Sequence, residues 1–115
     1  MRNTIKLHKD FLPQSTDIGS QTRWFYARAN VAKISGDARY GLIVTKKMFR
    51  HAVDRNRAKR LLRDWIYFNE GLLLSDLDYV FIVRAPILTA TREEGRAAMK
   101  KALKNIKKQY LEKSK

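Results

Sequence analysis

The 115-residue chain contains no cysteine, which excludes a disulfide framework, a thiolate metal site and a cysteine nucleophile. Its only histidines are His8 and His51, so we do not expect a histidine-based metal cage. No apolar run reaches the roughly 18 residues that a transmembrane helix needs. Residues 1–11 lack the apolar core that is typical of a signal peptide. We therefore expect a cytoplasmic protein without a membrane segment or a protein-bound metal.

Acidic residues are also scarce, with 11 Asp and Glu against 25 Lys and Arg and a net charge of +14. A charge of this size indicates a polyanionic partner and says nothing about fold. The cations are clustered, since eight of them and one acid lie between Lys46 and Arg63. Another eight, again with one acid, lie between Arg96 and Lys115.

The length predicts a single domain, residues 1–115. Within it we interpret residues 1–22 as a helix and loop region and residues 112–115 as a frayed tail. The short N-terminal helix is expected to end at Pro13, which removes a backbone donor. Residues 14–22, which include Gly19, are interpreted as a loop.

Three segments are typical of β-strands. Residues 24–34 and 39–45 are rich in aromatic and β-branched side chains, and a turn at residues 35–37 predicts that they form an antiparallel hairpin. Residues 79–83 are a continuous apolar run, which predicts a strand covered on both faces.

Two segments have the period of an α-helix. In the first, from Ala52 to about Phe68, one sector holds the apolar side chains, namely Ala58, Leu61, Leu62, Trp65 and Ile66. The second begins at a capping box formed by Thr91 and Glu94. Its expected core stripe comprises Met99, Ala102 or Leu103, Ile106 and Tyr110. These helices and strands predict an α+β fold with one small sheet.

The first of these helices carries the strongest functional signal. At about 100° per residue, Asn56, Lys59, Arg60 and Arg63 lie opposite the apolar sector. Further cations flank this face, namely Lys46, Lys47, Arg50, Arg55 and Arg57. Arg offers a planar fork for bidentate phosphate contacts, and Lys adds a point charge. A solvated helix face is the alternative, but it would normally mix both signs of charge, and this face is almost purely cationic. We therefore interpret the face as a nucleic-acid contact.

The same residues resemble a known family. Arg39–Lys47 (RYGLIVTKK) followed by Ala52–Arg63 (AVDRNRAKRLLR) is similar to the signature of the bacterial ribonuclease P protein subunit. Asp78–Ala85 (DYVFIVRA) is similar to the strand that follows the signature helix in that family. The order and spacing of elements agree over about residues 23–110.

This resemblance implies a single-domain α/β sandwich, with a small mixed sheet and a left-handed β-α-β crossover. It implies that the chain is the protein partner of a catalytic RNA. The holoenzyme, expected as a 1:1 ribonucleoprotein, would cleave precursor tRNA endonucleolytically and release the mature 5′ end. Mg²⁺ would be held mainly by the RNA, which supplies the active site, and no catalytic residue is expected on this chain.

The resemblance also implies residue roles. The residues assigned to the catalytic RNA are Lys46, Lys47, Arg50, Arg55, Asn56, Arg57, Lys59, Arg60 and Arg63. The 5′ leader of the substrate would lie in a cleft beside the first helix, where Phe11 matches a family aromatic. By strand parity, Trp24, Tyr26 and Arg28 share one side of the first predicted strand, where they could stack on and attract a single strand. For Trp24 and Tyr26 the alternative is packing in the core or at a sheet edge.

Other functions remain as alternatives. A structural RNA-binding protein, such as a ribosomal protein, would carry the same basic face. A helix-turn-helix module is disfavoured because the basic helix follows a strand. A membrane-surface helix is disfavoured because the sheet needs the apolar face as core. Catalysis by the protein would rest on His51 with Asp54 or on Glu93 with Glu94, and neither pair forms a complete nuclease site.

Overall fold

The computed structural model describes residues 3–4, 18–31 and 39–113. These residues form five strands and two helices, with short 3₁₀ turns at Glu70–Leu72, after the first helix, and at Ala85–Thr89, before the second. The strands are β1 Asn3–Thr4, β2 Ile18–Gln21, β3 Phe25–Val31, β4 Arg39–Ile43 and β5 Leu77–Val83, and the helices are α1 Ala52–Phe68 and α2 Arg92–Lys113.

The strands form one mixed sheet in the order β1-β4-β5-β3-β2. β4 and β5 are parallel and connected through α1, whereas β3 is antiparallel to both of its neighbours, β5 and β2. This is the small mixed sheet with helices that the sequence predicts, so the α+β fold is confirmed. The left hand of the β4-α1-β5 crossover stays a prediction.

The predicted hairpin between the first two long strands is wrong. β5 lies between β3 and β4 and pairs with both, with Phe25 opposite Val83 and Tyr40 opposite Tyr79. β5 is buried along nearly its whole length, as predicted for a strand covered on both faces. The most apolar strand therefore takes the central position and separates two strands that are close in sequence. The predicted turn at residues 35–37 lies outside the described residues.

The loop predicted for residues 14–22 is also wrong in part, because Ile18–Gln21 forms the edge strand β2. Its sequence has weak strand propensity, but tertiary contacts supply the missing stability. The Gln109 side chain of α2 bonds both the N–H and the C=O of Gly19, at 3.2 and 2.8 Å. A Cβ on Gly19 would lie 2.6 Å from the Tyr26 hydroxyl and 3.0 Å from the Ala27 carbonyl oxygen, so glycine fits this close approach.

Both helices contribute to one core with the sheet. The aromatic centre comprises Phe25, Phe81 and Trp65, with ring centroids 5.8 Å apart for Phe25–Phe81 and 6.2 Å apart for Phe25–Trp65. The apolar sector predicted for α1 is confirmed, since its side chains are buried except Leu61, which is half-buried. The stripe predicted for α2 is also confirmed: Met99, Ala102, Leu103 and Ile106 are fully buried and Tyr110 is partly buried.

The capping box of α2 forms as the sequence predicts. The Glu94 N–H donates to the Thr91 hydroxyl at 3.1 Å, and the Thr91 N–H donates to the Glu94 carboxylate at 3.0 Å. Hydrogen bonds from the backbone and then the hydroxyl of Thr91 lower the pKa of Glu94 below its usual value. The box therefore sets where α2 begins.

The two helices approach each other closely at Gly95. A Cβ on Gly95 would lie 1.8 Å from Cε2 of the Trp65 indole, which is well inside van der Waals contact. Any larger residue would push the indole and α1 away from the sheet. Gly95 therefore determines how closely α1 packs against α2 and the sheet.

We predict that Gly95→Ala lowers the free energy of unfolding by about 1–3 kcal/mol, because overpacking outweighs the gain in helix propensity. Gly71→Ala is the matched control, since a Cβ at Gly71 meets nothing within 4 Å. The control should be neutral or more stable by up to about 1 kcal/mol. Urea unfolding of both variants is the measurement, and equal stabilities would contradict the account.

Candidate nucleic-acid interface

The outward face of α1 carries cations over its whole length. Arg57, Arg60 and Arg63 are exposed, as is Asn56, and Lys59 is half-buried. They lie on the side of the helix away from the buried Leu62 and Trp65 because residues three and four apart share a face. We call Asn56, Arg57, Lys59, Arg60 and Arg63 the arginine face. It can bind several phosphates at once.

Three more predicted cations lie in the connector between β4 and α1. Lys46, Lys47 and Arg50 are exposed, whereas Phe49 is buried and anchors the connector to the core. The Phe49 N–H also donates to the Thr45 carbonyl oxygen at 3.0 Å, which closes a turn. The connector therefore presents its cations at the N-terminal end of the arginine face.

Arg55 has a positioning role within the chain. Its guanidinium donates to the carbonyl oxygens of Phe49 and Arg50 at 2.9 and 3.1 Å. These bonds tie the connector to the first turn of α1. The motif position of Arg55 predicts an RNA contact. The structure shows a second role, in which Arg55 fixes the backbone position of Arg50.

Tyr40 is a functional neighbour that sequence reasoning missed. It is buried on β4, and burial, followed by the nearby Tyr67, raises the pKa of Tyr40 above its usual value. The positive charge of nearby Arg63 acts in the opposite direction. Tyr40 therefore lies near Arg63, towards the C-terminal end of the arginine face. Strand alternation could have indicated that Tyr40 faces α1, but not which residue it meets.

A groove of about 260 Å³ separates α1 from the start of α2. Arginines from both helices line it, namely Arg57, Arg60 and Arg92, and Asp64 lies beside them. Arg96 holds the Asp64 carboxylate in a bidentate ion pair at 3.1 and 3.2 Å. The acid is thereby neutralised and the groove keeps a positive lining. Arg92 was missed because it is 29 residues further along the sequence than Arg63.

The four residues predicted for the leader are not all brought together. Tyr26 and Arg28 are half-buried on the face of β3 opposite the buried Phe25, Ala27 and Ala29. Both therefore share the side that parity predicts, and Arg28 has an interaction partner within the chain. Phe11 lies outside the described residues.

The structure corrects the predicted surface position of Trp24. This residue precedes β3, so strand parity does not apply to it, and its side chain is 6% exposed within the core. The Arg23 guanidinium lies 5.0 Å from the centroid of its ring. The structure therefore places Trp24 in the core, which was the alternative given for it.

Three acidic side chains are engaged by groups of the same chain. Asp64 pairs with Arg96, Asp78 pairs with Arg39, and Glu94 caps α2. In the part of the chain that the structure describes, no three histidine or acidic side chains group together as a metal ion would require. Over the same residues, no helix is both long and apolar enough to cross a membrane.

Comparisons with known proteins agree with this geometry. A family model described as Ribonuclease P matches residues 2–107. The ribonuclease P protein component of Shouchella clausii is 41% identical over 69 residues, which cover 60% of this chain and 56% of that protein. That of Desulforapulum autotrophicum is 33% identical over 86 residues, which cover 75% and 72% of the two chains.

One solved structure extends the similarity to the fold. The RNase P protein of Staphylococcus aureus matches with a TM-score of 0.71 at 27% identity. The match covers 90% of this chain and 94% of that one.

Proposed function

The chain belongs to the ribonuclease P protein family, and from this premise we propose that it is the protein subunit of a ribonuclease P holoenzyme. In this role it binds the catalytic RNA and the 5′ leader of precursor tRNA. It assists the endonucleolytic removal of the leader, which gives the mature 5′ end of the tRNA. We place it in the cytoplasm, as one copy bound to one RNA.

The observation that carries the proposal is the arginine face of α1. Three guanidinium groups, on Arg57, Arg60 and Arg63, are exposed along one helix. The nearest acid, Asp64, is neutralised by Arg96. Like charges at this spacing repel, so the face is best compensated by a polyanion. Asn56 can both donate and accept, which suits a ribose 2′-hydroxyl and favours RNA over DNA.

We assign the chemistry to the RNA, with Mg²⁺ held mainly there. The contribution of this chain is electrostatic, because two polyanionic RNAs must approach each other before cleavage. Cations on α1 and the connector reduce that repulsion, which otherwise requires a high concentration of divalent ions. Lys46, Lys47 and Arg50 lie where the connector meets α1 and extend the positive surface beyond the helix.

The leader contact is proposed on β3. Tyr26 can offer an aromatic surface and Arg28 a cation to a single strand. Their common face of the sheet supports this assignment. Phe11 stays a prediction, and Trp24 is not included because it is buried.

Reconstitution tests the function as a whole. We predict that this protein lowers the Mg²⁺ concentration at which a bacterial ribonuclease P RNA cleaves precursor tRNA, because protein cations replace part of the diffuse divalent charge. Cleavage is measured across a Mg²⁺ series with and without protein. Unchanged curves would favour the structural RNA-binding alternative, such as a ribosomal protein.

Salt titrations test the arginine face. Arg57→Ala and Arg60→Ala should each weaken binding to the catalytic RNA and reduce the slope of log K against log salt by about one unit per lost phosphate contact. Lys104→Ala is the matched control, because Lys104 is an exposed cation on α2 and not on α1. Its neighbour Asn105 hydrogen bonds Ser20 on the edge strand β2, which shows that this part of α2 lies over the other edge of the sheet. Unchanged slopes in both arginine variants would refute the assignment.

Leader discrimination tests β3. Tyr26→Ala should weaken holoenzyme affinity for leader-bearing precursor tRNA by about 1–3 kcal/mol, the value of one stacked base. Affinity for mature tRNA should not change, and Tyr26→Phe should behave like the parent. An equal loss for both RNAs would instead give Tyr26 a structural role.

A further inference from the structure

An exposed tyrosine lies on the same stripe of α1 as the arginine face. Tyr67 follows Asn56, Arg60 and Arg63 at spacings of four, three and four residues. At 100° per residue these four positions fall within about 60° of one another around the helix axis. Tyr67 is about 6 Å further along that axis than Arg63. The cationic stripe therefore ends in an aromatic ring.

This ring is not used by the core. Tyr67 is 52% exposed, whereas Trp65, two residues earlier on α1, is fully buried. Among the residues that the structure describes, no aromatic ring or guanidinium stacks on Tyr67. Its neighbour Phe68 is 60% exposed, but the Arg96 guanidinium covers that ring at 4.2 Å. The Phe68 ring is therefore covered by a side chain of the same chain, and among the described residues the Tyr67 ring has no such cover.

The surroundings of Tyr67 hold its base and leave its ring available. Tyr40, Ile66 and Glu70 form a shallow recess with Tyr67. The recess has no room for even a water-sized group, so a ligand would lie on the ring and not enter a pocket. Arg63 is exposed and lies one helical turn before Tyr67 on the same stripe. An aromatic surface next to a cation is the arrangement that binds an unpaired nucleotide, with the ring under the base and the cation at its phosphate.

We propose that Tyr67 is a stacking platform for an unpaired nucleobase of the RNA that binds the arginine face, with Arg63 contacting the adjoining phosphate. This inference rests on the proposed function and adds a residue to it that no motif position identifies. It assigns the C-terminal end of α1 to RNA contact and gives that end a preference for single-stranded over paired nucleotides, since only an unpaired base exposes its face.

The test uses three variants of Tyr67 in the full chain. Tyr67→Ala and Tyr67→Leu remove the aromatic surface, and Tyr67→Leu keeps apolar cover over the recess. Both should weaken binding about 5- to 100-fold, the range measured for loss of one stacked base, and Tyr67→Phe should bind within about twofold of the parent. Phe68→Leu is the matched control, because it removes the neighbouring exposed ring outside the stripe.

Two titrations locate the base. The first measures binding of each variant to an in vitro transcribed bacterial ribonuclease P RNA, and the second measures binding of precursor tRNA to the assembled holoenzyme. A loss in the first assigns the base to the catalytic RNA, and a loss only in the second assigns it to the substrate. No loss in either overturns the proposal, as does a Tyr67→Leu variant that binds as well as Tyr67→Phe.

Salt dependence separates this proposal from the proposed function. Stacking involves no phosphate, so the salt slope of Tyr67→Leu should equal that of the parent. If the arginine variants lower the slope and the Tyr67 variants bind normally, the function stands and the stacking proposal fails. If the arginine variants also bind normally, the proposed function itself fails. Equal losses in Tyr67→Leu and Phe68→Leu would indicate a general apolar surface and overturn the assignment to Tyr67.

Discussion

The contact between Trp65 and Gly95 is the constraint on which the rest of the structure depends. The absence of a side chain at Gly95 lets the indole lie between α1 and α2 and reach Phe25. The indole Nε1 has no hydrogen-bond partner among the described residues, which costs about 1–3 kcal/mol. Burial of so large a ring contributes roughly 4–6 kcal/mol, so the contact remains favourable. Because the Trp65–Gly95 contact determines which side of α1 is buried, it also determines that the cationic side of α1 faces outward.

The electrostatics of the molecule follow from that orientation. Asp64, the acid next to Arg63 on α1, bonds Arg96, and Asp78 bonds Arg39 in a nearly buried ion pair. The cations of α1 are therefore left for an external polyanion. Arg55 positions part of this charge, because its guanidinium bonds the connector to the first turn of α1. The placement of the cations thus depends on internal hydrogen bonds as well as on their number.

Much of the local structure could be predicted from the sequence. The bounds of α1, its buried sector and the capping box of α2 all depend on residues three or four apart, and each was predicted correctly. The predictions that failed depend on distant partners. The hairpin was wrong because β5 separates β3 from β4, and β2 was missed because Gln109 stabilises a segment with weak strand propensity. Trp24 was misplaced because its strand begins one residue later than its composition suggests.

The sequence by itself determined that one helix presents a single-signed basic face and an apolar face, since helical periodicity is written in the spacing of residues. That information was sufficient for most of the arginine face, and the family followed from the resemblance of the motifs at residues 39–47, 52–63 and 78–85. Only the tertiary structure decided that Arg92 joins Arg57 and Arg60 across a groove, that Tyr40 lies near Arg63, and that Trp24 is removed from the surface. Each of these features depends on residues that are far apart in the chain. Such contacts are decided by how the helices and strands pack into one core, and a local sequence pattern does not contain that information.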